Sequence, residues 1–338
     1  MKKQTQHPSF AFTGLLAFAV ATVAVADARS TPQPVYSENF AAATARDTWY
    51  SSGAASTVPY DAEAKAINLT ALNAGSGKHV LTYFDSTSLG IGEKLTLNLV
   101  FSVSGTTGGP VSGVTGATDQ LRFGLFNSGA NGHVSKDNHG TSGTSTTNGI
   151  TDGFGSYVGY SPTITFGNGN GSLGLRERNA INNQLLTAAN AYTGFTSGGN
   201  DLTTDLVASA SKPLASGHTC NISYTLTRAA TDIMTMSMNI SGTDSTGAAF
   251  SYTISGADKT GIVSTFDTFA ISVNNSAVDF LINSVTITHT IAPVPEPGAV
   301  ALLAGLAGLL GASLNRLADQ KSDNPVKPRQ RRGGRDLL

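Results

Sequence analysis

Lys94-Leu95-Thr96-Leu97-Asn98-Leu99-Val100-Phe101-Ser102-Val103-Ser104 alternates apolar and polar side chains over nearly its whole length. Successive side chains of an extended chain point to opposite faces, so Leu95, Leu97, Leu99, Phe101 and Val103 share one face and require a core beneath it. The same period of two returns on either side of this stretch. Before it lie Ile67–Leu72 and His79–Phe84; after it come Leu121–Phe126, Thr163–Phe166, Leu173–Arg176, Ile222–Leu226, Met234–Ile240, Phe250–Ile254, Phe269–Val273 and Val285–Ile287. No apolar period of 3.6 residues is sustained between Ser30 and Ala292, so the pattern predicts about a dozen strands and no helical core. One-sided alternation predicts sheets that each pack a single face inward, as in an antiparallel sandwich. The expectation is an all-β fold, an antiparallel jelly-roll β-sandwich over residues 29–292 with a single core.

Composition agrees. Of 338 residues only 13% are charged and 38 are Gly, against about 25% and about 7% in ordinary soluble domains. Strands joined by tight Gly/Ser/Thr/Asn turns explain this better than a helical bundle does. The formal net charge of -1 averages over unlike parts: residues 29–312 hold 12 basic and 18 acidic residues, and the two ends are basic. Such a balance excludes an electrostatic footprint for nucleic acid. The stretch 127–154 is dense in Gly, Ser, Thr and Asn and reads as surface loops. A second irregular stretch runs from Asn179 to Lys212, where Leu202–Ala208 reads as a short helix.

Both ends carry an address. Residues 1–28 have Lys2 and Lys3, an apolar stretch from Phe10 to Val25 and then small residues, the three parts of a secretory signal peptide; cleavage is expected after Ala26 or Ala28. At the other end, residues 293–338 contain Val294-Pro295-Glu296-Pro297, stiffened by its prolines. An apolar run of 17 residues, 298–314, follows; as a transmembrane helix it would be roughly 26 Å long. The tail 315–338 has seven basic residues against three acidic, reads as lacking fixed structure, and is expected to stay cytoplasmic with the sandwich outside.

This order of Pro-Glu-Pro, apolar helix and basic end resembles the PEP-CTERM sorting signal of exported bacterial proteins. The resemblance implies recognition by an exosortase-type membrane protease, cleavage near Pro295-Glu296-Pro297, and release or transfer to a surface polymer. Here the Arg329–Arg335 cluster follows the helix only after a polar, Pro-bearing stretch. Within the sandwich, Phe266–Val273 followed by Phe280–Ile287, with the opening Glu38-Asn39-Phe40 and Trp49-Tyr50, resembles concanavalin A-like, laminin-G-like modules. That resemblance implies a sugar-binding or adhesive role.

Catalytic motifs are sparse. A glycosidase needs two carboxylates roughly 5 to 10 Å apart, and the one alternating acidic pair, Asp61 and Glu63, reads as an exposed polar strand face. His79, His133, His139, His218 and His289 are scattered with no Gly-x-Ser-x-Gly elbow. His133 and His139, flanking Lys136-Asp137-Asn138, read as solvated loop residues, since their spacing matches no zinc pattern. The lone Cys220 reads as a small buried strand residue. Calcium is the one candidate ion, with Asp137, Asn138, Asn148 and Asp152 as oxygen donors. Phe154, Tyr157 and Tyr160 are candidate stacking platforms for a glycan. The reading is therefore a non-enzymatic exported protein of the cell surface or extracellular matrix, structural, adhesive or glycan-binding. Its partners are the signal peptidase and export machinery, an exosortase and an extracellular polysaccharide, not nucleic acid. The alternative is a secreted carbohydrate-active hydrolase whose carboxylates come from separate strands.

Overall fold

The computed structural model describes residues 30–52, 58–69, 79–104, 120–139, 153–165, 172–179, 185–186, 192–194, 201–203, 218–244, 246–274 and 279–293, with 305, 307–310 and 312. In chain order the strands are β1 (Gln33–Glu38), β2 (Trp49–Ser51), β3 (Tyr60–Asp61), β4 (Ala66–Asn68), β5 (Val80–Ser88), β6 (Lys94–Ser104), β7 (Gln120–Asn127) and β8 (Val158–Thr165). They continue as β9 (Ser172–Asn179), β10 (Tyr192–Gly194), β11 (Asp201–Thr203), β12 (Thr219–Ala230), β13 (Ile233–Thr243), β14 (Ala249–Asp258), β15 (Thr265–Asn274) and β16 (Asp279–Thr290). They build a nine-stranded sheet in the order β11-β14-β13-β12-β6-β16-β4-β3, with β1 also on β16, and a seven-stranded sheet in the order β10-β9-β8-β7-β15-β5-β2. Every pairing is antiparallel.

The main core lies between the sheets, and the opening pattern supplies it. Leu95, Leu97, Leu99, Phe101 and Val103 of β6 are all buried there, beside Cys220, Ile222, Tyr224 and Leu226 of β12 and Met234, Met236, Met238 and Ile240 of β13. Burial in this apolar setting pushes the Cys220 thiol up to about 12, so it is inert packing. In β16 the inward residues step from Phe280 and Ile282 to Val285 and Ile287. The register shift between Ile282 and Ser284 inserts the extra residue Asn283, whose side-chain oxygen accepts from the Ser102 hydroxyl at 3.0 Å. The bulge also divides the outer edge of β16 between β4, on Leu281 and Ile282, and β1, on Val285 to His289.

The structure departs from the expected strand set in three places. Sixteen strands are described rather than about a dozen: β1 shows no clean alternation, and β2, β3, β10 and β11 have only two or three residues and carry no readable period. Asp201–Thr203, at the start of the expected helix Leu202–Ala208, pairs instead with β14; the remainder of that helix lies outside the described residues. Finally, the seven-stranded sheet is buried on both faces. Leu81, Phe126 and Ala270 point away from the main core into a second one with Val134, Phe154, Tyr157, Leu185 and Leu186. Among the described residues of these loops, Val134, Phe154, Tyr157, Leu185 and Leu186 therefore form an apolar lid on the sheet. Gly124 permits part of this closeness, since a Cβ there would stand 2.7 Å from the Tyr160 carbonyl.

Residues 30–292 form one compact unit. Ala26, Ala28 and Val294–Pro297 lie outside the described residues. Of the apolar run 298–314, residues 305, 307–310 and 312 are described as helical. Among the described residues no helix is long and apolar enough to cross a membrane.

Candidate functional site

The lid over the seven-stranded sheet begins at Ser128 and is pinned by Asp267. That residue sits at the β15 irregularity between Phe266 and Thr268. Its Oδ1 accepts the Ser128 N–H (2.9 Å) and the Thr268 hydroxyl (2.7 Å), and its Oδ2 accepts the Ser128 hydroxyl (2.6 Å). The His133 Nε2 stands 3.5 Å from the same Oδ2, and the His133 ring stacks on Tyr83 with centroids 3.8 Å apart. A chain of donors then ties lid to sheet. The Val134 N–H donates to the Tyr83 hydroxyl (2.8 Å), and the Tyr157 hydroxyl donates to the Gly132 carbonyl (2.7 Å). Tyr83 and Tyr157 hydroxyls are 2.9 Å apart; since the Tyr157 proton is committed to Gly132, Tyr83 is the donor. Arg178, fully buried in β9, donates to the Tyr157 carbonyl from the far side.

Further along, the lid meets the outer edge of β2. The Ser51 N–H donates to Asp137 Oδ1 at 2.7 Å, and the Asn138 N–H donates to the Ser51 carbonyl at 2.8 Å. Asn138 takes a left-handed φ of 55° there, a conformation Asn tolerates better than most residues. Beside this junction lies a groove of about 330 Å³ lined by Arg46, Asp47, Trp49, Tyr50, Val58, Ser135, Lys136 and Asp137, within the range of small-ligand sites, about 300–1,000 Å³. Arg46 is held by a bond to the Val58 carbonyl (3.1 Å) and lies over the Tyr60 ring at 5.9 Å. Tyr50, half-buried, leans on Tyr83 at 5.9 Å. Burial raises the Asp137 carboxyl above its usual range, opposed by its bonds to Ser51 and by the Arg46 charge. The groove thus gathers acceptors, cations, a hydroxyl and the aromatic residues Trp49 and Tyr50, of which Tyr50 is the more exposed, a set suited to a hydroxyl-rich ligand.

The expected site residues divide accordingly. Asp137 lines the groove, with Oδ1 serving as a backbone acceptor, and Asn138 bonds the Ser51 carbonyl beside it; Asn148 and Asp152 lie outside the described residues. Among the described residues no group of three or more His, Cys, Asp or Glu converges on a metal position. Phe154, Tyr157 and Tyr160 do not offer stacking faces: all are at 0% exposure, Phe154 and Tyr157 in the second core and Tyr160 in the main one. Phe154 lies in a 3₁₀ turn, Gly153–Ser156, and the strand begins only at Val158. Arg46 and Asp47 escape sequence reasoning because they lie in a short 3₁₀ helix, Ala43–Thr48, and Tyr50 because its strand has only three residues. His139, read as solvated, is buried against His79.

The carboxylates bearing on the hydrolase reading sit elsewhere. Asp61 Oδ1 caps its own turn, accepting from the Glu63 and Ala64 N–H groups. Glu177 lines a second groove of about 530 Å³ with Asn127, Val158, Arg178 and residues 261–265. Burial, with the nearby Asp258 charge, pushes Glu177 up to about 7. Asp258 itself is fully buried and accepts from the Tyr160 hydroxyl (2.8 Å) and the Thr260 N–H (2.9 Å), so it faces protein rather than a substrate bond. Glu177 has a measurable consequence. Its folded pKa lies above the ordinary 4.5, so the unfolded chain loses the proton first and stability falls as pH rises from about 4.5 to about 7. Melting temperatures of wild type and Glu177→Gln across that window are expected to differ in slope, the variant being the flatter; parallel curves would contradict the shift.

No known protein family matches the chain by sequence, and no curated protein sequence matches it. Solved structures do align with it. Peanut lectin in complex with a nine-residue peptide is 9% identical at a TM-score of 0.36, covering 77% of this chain and 98% of its own. The metal-free carbohydrate recognition domain of Emp46p is 14% identical at a TM-score of 0.38, covering 76% and 97%. The VIP36 exoplasmic/lumenal domain in its Ca2+/Man-bound form is 10% identical at a TM-score of 0.38, covering 76% and 91%. At such overlaps the fold described above stands on its own topology.

Proposed function

We propose that this chain is an exported surface or matrix protein whose β-sandwich binds glycan in the groove beside β2. The convergence of Arg46, Asp47, Ser135, Lys136 and Asp137 around the Tyr50 ring supports this reading. A sugar presents hydroxyls that both donate and accept and a C–H face that stacks on an aromatic ring, and the groove offers a counterpart to each. Tyr50→Ala is expected to weaken binding to the glycans retained on an array about tenfold, or roughly 1.4 kcal/mol. Asp137→Ala should weaken it further by also releasing Ser51. Retention unchanged in both variants, or no glycan retained by the wild type, would overturn the reading.

Export and sorting belong to the same proposal. The signal peptide is removed after Ala26 or Ala28, and the Val294-Pro295-Glu296-Pro297 segment with the apolar run 298–314 and the basic tail directs the chain to an exosortase. Mass spectrometry of the exported protein tests both steps. The expected species starts near Asp27 to Arg29 and ends near Pro295; a carboxy terminus at Leu338 rules the processing out.

A further inference from the structure

The end of the sandwich from which β16 leaves holds two isoleucines in water. Ile91 is 56% exposed and Ile291 49%, and among the described residues of the unit 30–292 no other large hydrophobic side chain is exposed. The two lie at one place: Lys94 pairs in register with Thr290, and a Cβ on Gly92 would stand 3.2 Å from the Ala292 Cβ. Ile91 is the tip of the loop between β5 and β6, and that loop is held from both sides. Leu89 is buried, and its N–H donates to the Ser264 carbonyl (2.8 Å). The Glu93 N–H donates to the Gly90 carbonyl (3.0 Å), while Glu93 Oε2 accepts from the Gly90 N–H (2.8 Å) and from His289 Nε2 (3.0 Å). Gly92, at a left-handed φ of 84°, donates to the Arg228 carbonyl (2.7 Å), and the Arg228 guanidinium donates to the Leu89 carbonyl (2.9 Å). The backbone around Ile91 is thus fixed while its side chain is left in water, so seating it against an apolar partner orders little else.

We propose that Ile91 and Ile291 seat this end of the sandwich in the interfacial layer of a lipid bilayer before the carboxy-terminal segment is processed. The proposal rests on the reading of residues 298–314 as a membrane helix. From Ile291 to residue 298 the chain advances seven residues, at most about 25 Å when fully extended, so this end is the part of the sandwich kept beside the membrane. There the two side chains leave water for the boundary between headgroups and acyl chains, the transfer that drives interfacial binding. A second copy of the chain would gain only two isolated side chains, far short of the apolar patch a stable dimer needs, whereas a bilayer demands no matching shape. The seat also holds residues 294–297 at the bilayer surface, within reach of an integral-membrane protease.

The test uses the full chain in phosphatidylcholine vesicles. Cys220 is buried and takes no label, so Ile91→Cys and Ile291→Cys each place one environment-sensitive fluorophore at this end. Ser251→Cys, exposed on β14, is the control. In chains that float with the vesicles, the labels replacing Ile91 and Ile291 are expected to shift to the blue and to lose most of their emission to nitroxide lipids, while the label replacing Ser251 keeps its emission. Flotation with either isoleucine position unquenched would overturn the seat and leave the membrane helix standing. Loss of flotation would overturn the helix and the seat with it. A blue shift that nitroxide lipids do not quench, and that fades as the protein is diluted in the vesicles, would assign the isoleucines to a second copy and overturn the bilayer as their partner.

Discussion

Trp49→Ala is expected to lower the unfolding free energy by about 4 kcal/mol, in the range of aromatic truncations in well-packed cores. Trp49 lies on the short edge strand β2, yet it points inward and meets three rings edge to face: Tyr36 at 6.3 Å, Phe40 at 5.5 Å and Phe269 at 5.8 Å. Those rings come from β1, the turn after it and β15, so truncation opens a void where several segments meet and none can collapse alone. Urea unfolding followed by far-ultraviolet circular dichroism measures the loss, with an unchanged slope against denaturant expected. A cost under about 1 kcal/mol would mean that β2 frays independently of the cooperative core.

The second large effect belongs to Asp267. Its carboxylate accepts three hydrogen bonds, two from Ser128 and one from the Thr268 hydroxyl, with His133 close by. Asp267→Ala leaves those donors without an acceptor, at about 2–3 kcal/mol. The damage should spread, since Ser128 starts the segment that carries His133, Val134 and Asp137. Faster proteolysis between residues 128 and 139 and weaker glycan retention are expected together with the lower stability. Asp267→Asn keeps one acceptor oxygen and should fall between. Normal proteolysis in the Ala variant would show that the tyrosine chain holds the lid without Asp267.

The inner layer of the fold was legible in the sequence and the outer layer was not, for physical reasons. β6, β12 and β13 have one face in the core and one outside it, and such strands write a clean alternation. Strands covered on both sides lose it: Val80-Leu81, Leu125-Phe126 and Phe269-Ala270-Ile271 are apolar without interruption, a signal of two-sided burial that a search for alternation passes over. The lid has no period because it is built from turns. Its apolar anchors Val134 and Phe154 stand singly among Gly, Ser and Asn. The His79–His139 pair joins positions 60 residues apart, and nothing local marks either ring as buried. The groove is legible only in part: Asp137 stands out as an oxygen donor, whereas Arg46, Asp47 and Tyr50 acquire meaning once the 3₁₀ helix Ala43–Thr48 and β2 bring them to the same edge.

The closure of β2 by Asp137 and Asn138 bears on how the sheet avoids self-association. A sheet whose last strand shows an open row of amide and carbonyl groups invites another chain to extend it, and repetition of that step grows fibres. Here an arriving strand finds the Ser51 N–H and carbonyl already occupied by the chain's own side chain and backbone. At this position the chain's own loop occupies the groups through which a second copy would extend the sheet.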